Sequence, residues 1–337
     1  MARRKIGRPF VAVDVPRAGR QSGAALLAAM LTVTLVATFA AAALWQQWRS
    51  VEVEAAERAR VQSAWMLTGA LDWSRLILRE DARSGGADHL AEPWAVPLNE
   101  ARLSSFLAVD KNASTMESDS EREAFLSGQV SDLQARLNIT NLIDGNKVSE
   151  SALAGFGRLF TLLGLPVQSL DALAGKLLEA SQNTGQAPSP FTFLMPQRVD
   201  ELVWLGLSPE AIAVLAPHIT LLPTRTPVNL NTASAEVIYA STPGLEMADA
   251  QKLVAARERS HFRSLTDASQ QLGGPVDRFA EGRHSVTSRF FEVRGRLRLD
   301  QTVVQERSVL QRDGLSVRTL WRDRGVVTDW PAAAARP

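Results

Sequence analysis

Cysteine is absent from these 337 residues, so disulfides, thiol nucleophiles and thiolate metal sites are excluded. Histidine is scarce: His89, His218, His261 and His284 stand singly, and no His-Glu-x-x-His helix occurs. No Gly-x-Ser-x-Gly elbow is present, and Gly155-Phe156-Gly157 lacks both a third glycine and a preceding strand pattern. With no nucleophile–base set and no nucleotide loop, the chain is not expected to be an enzyme. Two further absences shape the N-terminal region. No charge falls between Ala24 and Leu44, and no glycine or proline falls between Ala24 and Thr68.

Ala24 to Leu44 is therefore an unbroken apolar run of 21 residues. At ~1.5 Å per residue, a helix of that length crosses the ~30 Å hydrocarbon core of a bilayer. Trp45 and Trp48 follow where an interfacial aromatic belt would lie, and Arg3, Arg4, Lys5, Arg8, Arg17 and Arg20 precede it. The positive-inside rule then expects a cytoplasmic N-terminus and an exported remainder. Beyond residue 23, the 37 basic and 36 acidic residues of the whole chain become 31 and 35. That acidic remainder suits nucleic acid poorly.

A cleaved secretory signal, with Ala40–Ala43 as its small-residue site, and a plain signal anchor both fit this composition. The junction supports a third reading. A basic leader ending Arg20-Gln21-Ser22-Gly23 directly before an uninterrupted apolar helix resembles the type IV prepilin signal. That resemblance implies cutting by the prepilin peptidase between Gly23 and Ala24, methylation of the new Ala24 amino terminus, and retention of the helix in the inner membrane. Most pilins carry Glu at the fifth mature position, and this chain has Ala28. A carboxylate in hydrocarbon is costly unless paired, and its partner in a pilin-like fibre is taken to be the amine of the subunit above.

Further along, Val53, Ala56, Ala59, Ala64, Leu67, Leu71 and Leu78 keep helical spacing up to the Gly85-Gly86 stop. Residues 84–120 read as loop-rich and contain Glu92-Pro93-Trp94-Ala95; residues 128–137 alternate as a strand. Helix is expected over 153–178 with a break at Gly164 and Pro166, then a polar linker over 181–190, then two short helices over 199–222 with Ser208-Pro209 as cap and first turn. Asn229–Ser234 caps another helix, Pro243-Gly244-Leu245-Glu246 makes a hairpin into a helix over 248–259, and Phe262–Asp267 caps a third. Such a helix-hairpin-helix also occurs in DNA-binding proteins, whose Gly-x-Gly turn brings backbone amides to phosphate. Here Glu246 occupies the second glycine position, so the hairpin reads as structural. Phe291, Val293, Gly295, Leu297 and Leu299 alternate strictly with Glu292, Arg294, Arg296, Arg298 and Asp300, which predicts one buried and one wet face. Asp313-Gly314 is a hairpin turn into a strand containing Leu315, Val317, Thr319 and Trp321.

In this order, the leader with its helix, the Pro-Trp-Ala segment, the hairpin insert and the C-terminal meander resemble the K-type minor pseudopilins of bacterial type II secretion systems. The fold this implies is α+β: a pilin-like spine helix on a small antiparallel sheet, with an inserted all-α domain. The expected divisions are a leader at 1–23, transmembrane and spine helix at 24–80, pseudopilin part at 81–140, helical insert at 141–283, strands at 284–325 and a tail at 326–337. The resemblance implies a place at the tip of a periplasmic pseudopilus beside the I, J and H pseudopilins, supporting export of folded proteins; a subunit with nothing above it needs no Glu at position 28. The competing reading is a membrane-anchored DNA receptor. K subunits bind calcium through acidic loops bearing Trp-x-Asp-x-Asp and Gly-Ala-Glu-Asp runs, and neither run occurs in this chain. Glu117, Asp119 and Glu121 come nearest and read as a solvated loop, so no cofactor is expected.

Overall fold

A computed structural model describes residues 22–103, 124–182, 193–273, 278–299 and 302–325. The acidic run Glu117, Asp119 and Glu121, most of the 181–190 linker, Asp300 and the tail lie outside the described residues. The chain divides into two compact units, Met1–Arg58 and Ala59–Pro337. The described part of the first is wholly helical. It belongs to helix α1, Ser22–Ser84, whose N-terminal stretch has no buried side chain and is long and apolar enough to cross a membrane.

The second unit contains the rest of α1 and a five-stranded antiparallel sheet. Its strands are β1 (Leu98–Arg102), β2 (Ala124–Asp132), β3 (Phe290–Leu299), β4 (Thr302–Asp313) and β5 (Ser316–Gly325), in that spatial order. The β4–β5 hairpin turns at Asp313-Gly314, where Gly314 adopts φ +56°, a left-handed conformation that glycine takes without steric cost. From Ala59 onward, α1 buries Ala59, Ser63, Leu67, Leu71, Ser74 and Leu78, a stripe at three- and four-residue spacing. Leu71 and Leu78 pack with Trp94, Phe291, Val293, Leu310 and Val317, while Leu67 meets Leu126 and Leu297.

Between β2 and β3 the chain makes the helical insert: α2 (Glu150–Leu162), α3 (Val167–Gln182), α4 (Pro209–Leu215), α5 (Ala235–Ser241), α6 (Met247–Arg259) and α7 (Leu265–Gln270). Its core runs from Leu137 to Phe279 and is almost entirely leucine, phenylalanine and small aliphatics. The expected break between α2 and α3 is present, with Gly164 at φ +70°. Ser149, Ser208, Ser234 and Ser264 each accept a backbone N–H at a helix start, as the cap chemistry demands. Three two-residue strand pairings also tie the insert together or to its neighbours: Leu137–Asn138 with Ile219–Thr220, Ile143–Asp144 with Lys147–Val148, and Val228–Asn229 with His284–Ser285.

Three local expectations are corrected. The strand expected over 128–137 ends at Asp132, because the Asp132 carboxylate accepts the Gln134 amide and turns the chain into a 3-10 turn at Leu133–Ala135. Strand β1 lies in a stretch read as loop; its five residues are too short for an alternation to stand out. The supposedly wet face of β3 is wet only in part. Phe290 is fully buried against Leu133, Leu222 and Val309, and Glu292 has no exposed surface at all.

Candidate subunit interface

Opposite its buried stripe, α1 presents Val61, Trp65 and Leu76 to solvent, and Trp73 stands half-exposed at the edge of that side. Trp65 is 73% exposed and Trp73 48%, unusual values for the largest apolar side chain. Helical geometry explains the arrangement: Trp65 lies about half a turn from the Ser63–Leu67–Leu71 line that faces the sheet. Among these bulky residues is Gly69, with nothing within 4 Å of where its Cβ would be. The spine thus has two apolar sides, one consumed by the protein's own core and one left bare.

At the C-terminal end of α1, Asp81, Asp88 and Glu92 bring carboxylate oxygens within 4.8 Å of one another. Sequence reading gave no reason to group them. They converge because Gly85 and Gly86 take left-handed φ values and fold the chain back over the helix end. This is the densest acidic cluster among the described residues, so it is the place to test for the calcium that the resemblance implies. The test fails. Arg312 already donates to Asp81 at 2.6 Å and to Asp88 at 2.5 Å, so a guanidinium stands where a cation would. Glu92 accepts from the Trp94 indole N–H and the His89 amide. Calcium requires six to eight oxygens, and these carboxylates are spent on nitrogen donors. Burial pushes Asp88 up to about 6 against the pull of Arg312, and burial pushes Glu92 up to about 7.

The same corner joins the insert to the sheet. Asn229 places its amide nitrogen within 3.0–3.1 Å of the Asp88 carbonyl, the Asp132 carboxylate and the Ser288 hydroxyl. Asp132 also accepts from Thr232 and Ser288, both at 2.6 Å. Asn231 clamps the α6–α7 loop by bonding the amide and the carbonyl of Phe262 at 2.8 and 2.9 Å. The stretch Asn229–Ser234 is therefore more than a helix cap. Its asparagines are the polar joint of the insert, and their spacing by two is the signal that could have revealed it. Arg257 donates to the Leu230 and Ala233 carbonyls, and burial lowers its pKa to about 10. The hairpin turn itself uses Gly244 at φ +70°, and Glu246 is exposed at the start of α6. A negative charge at this turn repels phosphate, and no feature of the hairpin favours the DNA-receptor reading.

Of the residues expected to matter at the N-terminus, Gly23, Ala24 and Ala28 lie exposed in the first two turns of α1. The apolar surface around them, from Leu26 to Phe39, is 53–70% exposed. His89 and His261, scattered in sequence, stack with ring centroids 3.8 Å apart, and burial followed by the charge of His261 lowers the His89 pKa. His284 is buried on Thr242, and burial lowers its pKa to about 4. The Thr242 hydroxyl and the His284 ring are both buried, so that pair is closed to a substrate.

Comparison with known proteins agrees with this architecture. Two family models described as type II secretion system, protein K, match residues 135–224 and 228–287. The type II secretion system protein K of Pseudomonas aeruginosa is 29% identical over 332 residues, covering 90% of this chain and 93% of that protein. A chain in the crystal structure of the GspK-GspI-GspJ complex from the enterotoxigenic Escherichia coli type 2 secretion system superposes with a TM-score of 0.57 at 17% identity, covering 80% of this chain and 98% of that one. The family models fall within the helical insert and the match to the Pseudomonas aeruginosa protein spans most of the chain, and by both the chain is similar to type II secretion system protein K.

Proposed function

We propose that this chain is a minor pseudopilin anchored by one inner-membrane helix, and that it caps a short periplasmic pseudopilus together with the I and J pseudopilins, with H beneath. The observation that carries the reading is the exposed apolar side of α1 at Val61, Trp65 and Leu76. A solvent-facing stripe of this kind on a folded domain marks a protein contact. Its position on the spine is where parallel pilin-like helices meet. The solved relative was crystallised as a complex with two other pseudopilins, which supports the same partners here.

The basic leader orients the helix, with Met1 cytoplasmic and the sheet and insert periplasmic. Prepilin peptidase cuts between Gly23 and Ala24, and the new Ala24 amine is methylated. Ala28 carries no carboxylate for an overlying amine, which suits a subunit with nothing above it, and so does the bulk of an insert placed between β2 and β3. The role is mechanical, not catalytic: folded exoproteins are pushed by an assembly of which this chain is one part.

Assembly is the test. Full-length protein in detergent should form a 1:1:1 complex with the I and J pseudopilins, and Trp65→Asp should abolish it while leaving the monomer folded. Filaments of the chain alone, with no affinity for the other two, would remove the reading. Intact-mass analysis should find a mature chain starting at methylated Ala24; a start near Trp45 would mean a cleaved secretory signal instead.

A further inference from the structure

Gly69 has no reason inside this chain to be glycine. It lies well within helix α1, keeps an ordinary helical φ and faces solvent. Apart from proline, glycine is the least favourable residue in a helix interior, because it gives up the most backbone freedom on folding. A left-handed turn would offset that cost, and so would a neighbour too close for a Cβ. Neither is present: α1 runs unbroken through the position, and no atom lies within 4 Å of where the Cβ would stand. Gly295 makes the contrast. Its φ is also ordinary, but a Cβ there would meet Leu67 at 3.1 Å, so the protein's own spine uses its smallness.

The residues around Gly69 are bulky. Trp65 stands one turn before it and Trp73 one turn after, so the two indole-bearing turns are about 12 Å apart along the axis. Met66 and Asp72 are its other neighbours at three-residue spacing, and Asp72 is paired with Arg75. The exposed side of the spine therefore has a gap at Gly69. Val61, Trp65 and Leu76 carry the apolar line past it in both directions, beside the exposed Gln62, Asp72 and Arg79. From Val61 to Leu76 that line extends about 22 Å along the axis. A strip so long and narrow is matched by another helix lying alongside, which meets it at every turn.

We infer that Gly69 is the point of closest approach of a second helix, contributed by another pseudopilin, and that a bulky apolar side chain of that helix lodges over Gly69 between Trp65 and Trp73. A knob of this kind needs a hole, and a missing Cβ deepens the hole and lets the two backbones come nearer. The backbone cost of glycine is then offset in the assembly and not in the monomer. The inference rests on the assembly reading above and adds to it the place of contact.

Gly69→Ala tests this because its two effects have opposite signs. Alone, the full-length variant in detergent should melt about 2 °C above wild type, since alanine is the better helix former and the site is open. Mixed with the I and J pseudopilins, it should bind about threefold or more weakly than wild type, as a crowded contact does. Gly69→Leu should bind about tenfold or more weakly and still fold alone, because nothing in the monomer obstructs the larger side chain. A Gly69→Ala chain that melts higher and binds I and J as wild type does would overturn the inference. The assembly reading would survive that result if Trp65→Asp still abolished the complex. Wild-type chain that binds neither pseudopilin overturns both. Loss of self-association in the variants, with binding to I and J unchanged, would make a second copy of this chain the occupant and also overturn the inference.

Discussion

The two faces of β3 follow different rules. Toward the spine helix, Phe291, Val293, Leu297 and Leu299 form an unbroken apolar line, and every one of them is buried. On the opposite face the line begins with buried Phe290 and Glu292, then opens through Arg294, Arg296 and Arg298. The first face is a property of β3 itself, because any partner with a greasy side will cover it. The second depends on what the rest of the chain lays over it: the Leu133–Ala135 turn and Leu222 reach the sheet at one end and stop short of the other. Alternation therefore predicts which residues share a face, and says nothing about whether a second layer arrives.

The largest effect should come from breaking the spine-facing side. Phe291 is fully buried and makes an edge contact with Trp94 at 5.2 Å between ring centroids. Phe291→Ala should cost about 3–5 kcal/mol, measured as denaturant stability of the folded unit. A loss under about 1 kcal/mol would mean that the spine and sheet are not one cooperative core.

Next comes the buried carboxylate on the other face. Glu292→Ala removes the carboxylate that Arg294 and Arg307 share, and should cost about 3 kcal/mol. Glu292→Leu combined with Arg307→Leu should recover part of that loss, since the pair is replaced by packing. If the double variant is as unstable as the sum of the singles, Glu292 and Arg307 are not coupled.

This contrast also separates what the sequence makes legible from what it does not. Strands β3 and β5, the α2–α3 break at Gly164 and the serine caps follow from local periodicity and local hydrogen bonding, so they can be read from neighbours along the chain. The Asp81–Asp88–Arg312 corner cannot, because Arg312 lies more than 200 positions from both aspartates and only the closed sheet brings it to them. Glu292 is deceptive for the same reason. A charged residue in an alternating strand looks solvent-facing until Arg307 and Arg136, far off in sequence, are seen to join the neighbouring Arg294 around it. On the spine, spacing reveals Leu67, Leu71 and Leu78, whereas Trp65 and Trp73 look like ordinary hydrophobics until the core is known to be full without them.

A third, smaller effect turns the two ionic corners against each other with pH. Glu292 is held below its usual pKa: burial raises it, and Arg307, Arg294 and Arg136 together outweigh that. Its contribution is present above the unfolded carboxylate pKa and is lost as pH falls through the lower folded value. Asp88 and Glu92 have folded values raised to about 6 and about 7, so their contribution is full in acid and is lost as pH rises through that range. From about pH 8 to about pH 5 the Asp88 and Glu92 contribution to stability, followed by melting temperature, should therefore rise by roughly 1–2 kcal/mol, against the opposite pull of His89, His218 and His284, whose pKa values burial lowers. Glu92→Gln should flatten that rise. An unchanged slope in the variant would show that Glu92 titrates alike in both states.

The smallest effect probes how closely the spine approaches the sheet. Gly128 and Gly295 face each other across β2 and β3, and Leu67 of α1 packs against Gly295. A Cβ built on Gly295 would lie 3.1 Å from the Leu67 Cδ2, the free end of a flexible side chain that can rotate aside. A Cβ on Gly128 would also find its nearest neighbour at 3.1 Å, but that neighbour is the Arg294 carbonyl oxygen, fixed in the sheet. The distances are equal and the obstacles are not. Gly128→Ala should therefore cost about 1–2 kcal/mol, as overpacking against rigid atoms does, while Gly295→Ala should stay below about 1 kcal/mol. Neither glycine has a left-handed φ, so the comparison is purely one of space. Denaturant melts of the two variants side by side decide it. If Gly295→Ala proves the more damaging, Leu67 is locked in place by the helix, and the spine rests on the sheet more rigidly than side-chain packing alone implies.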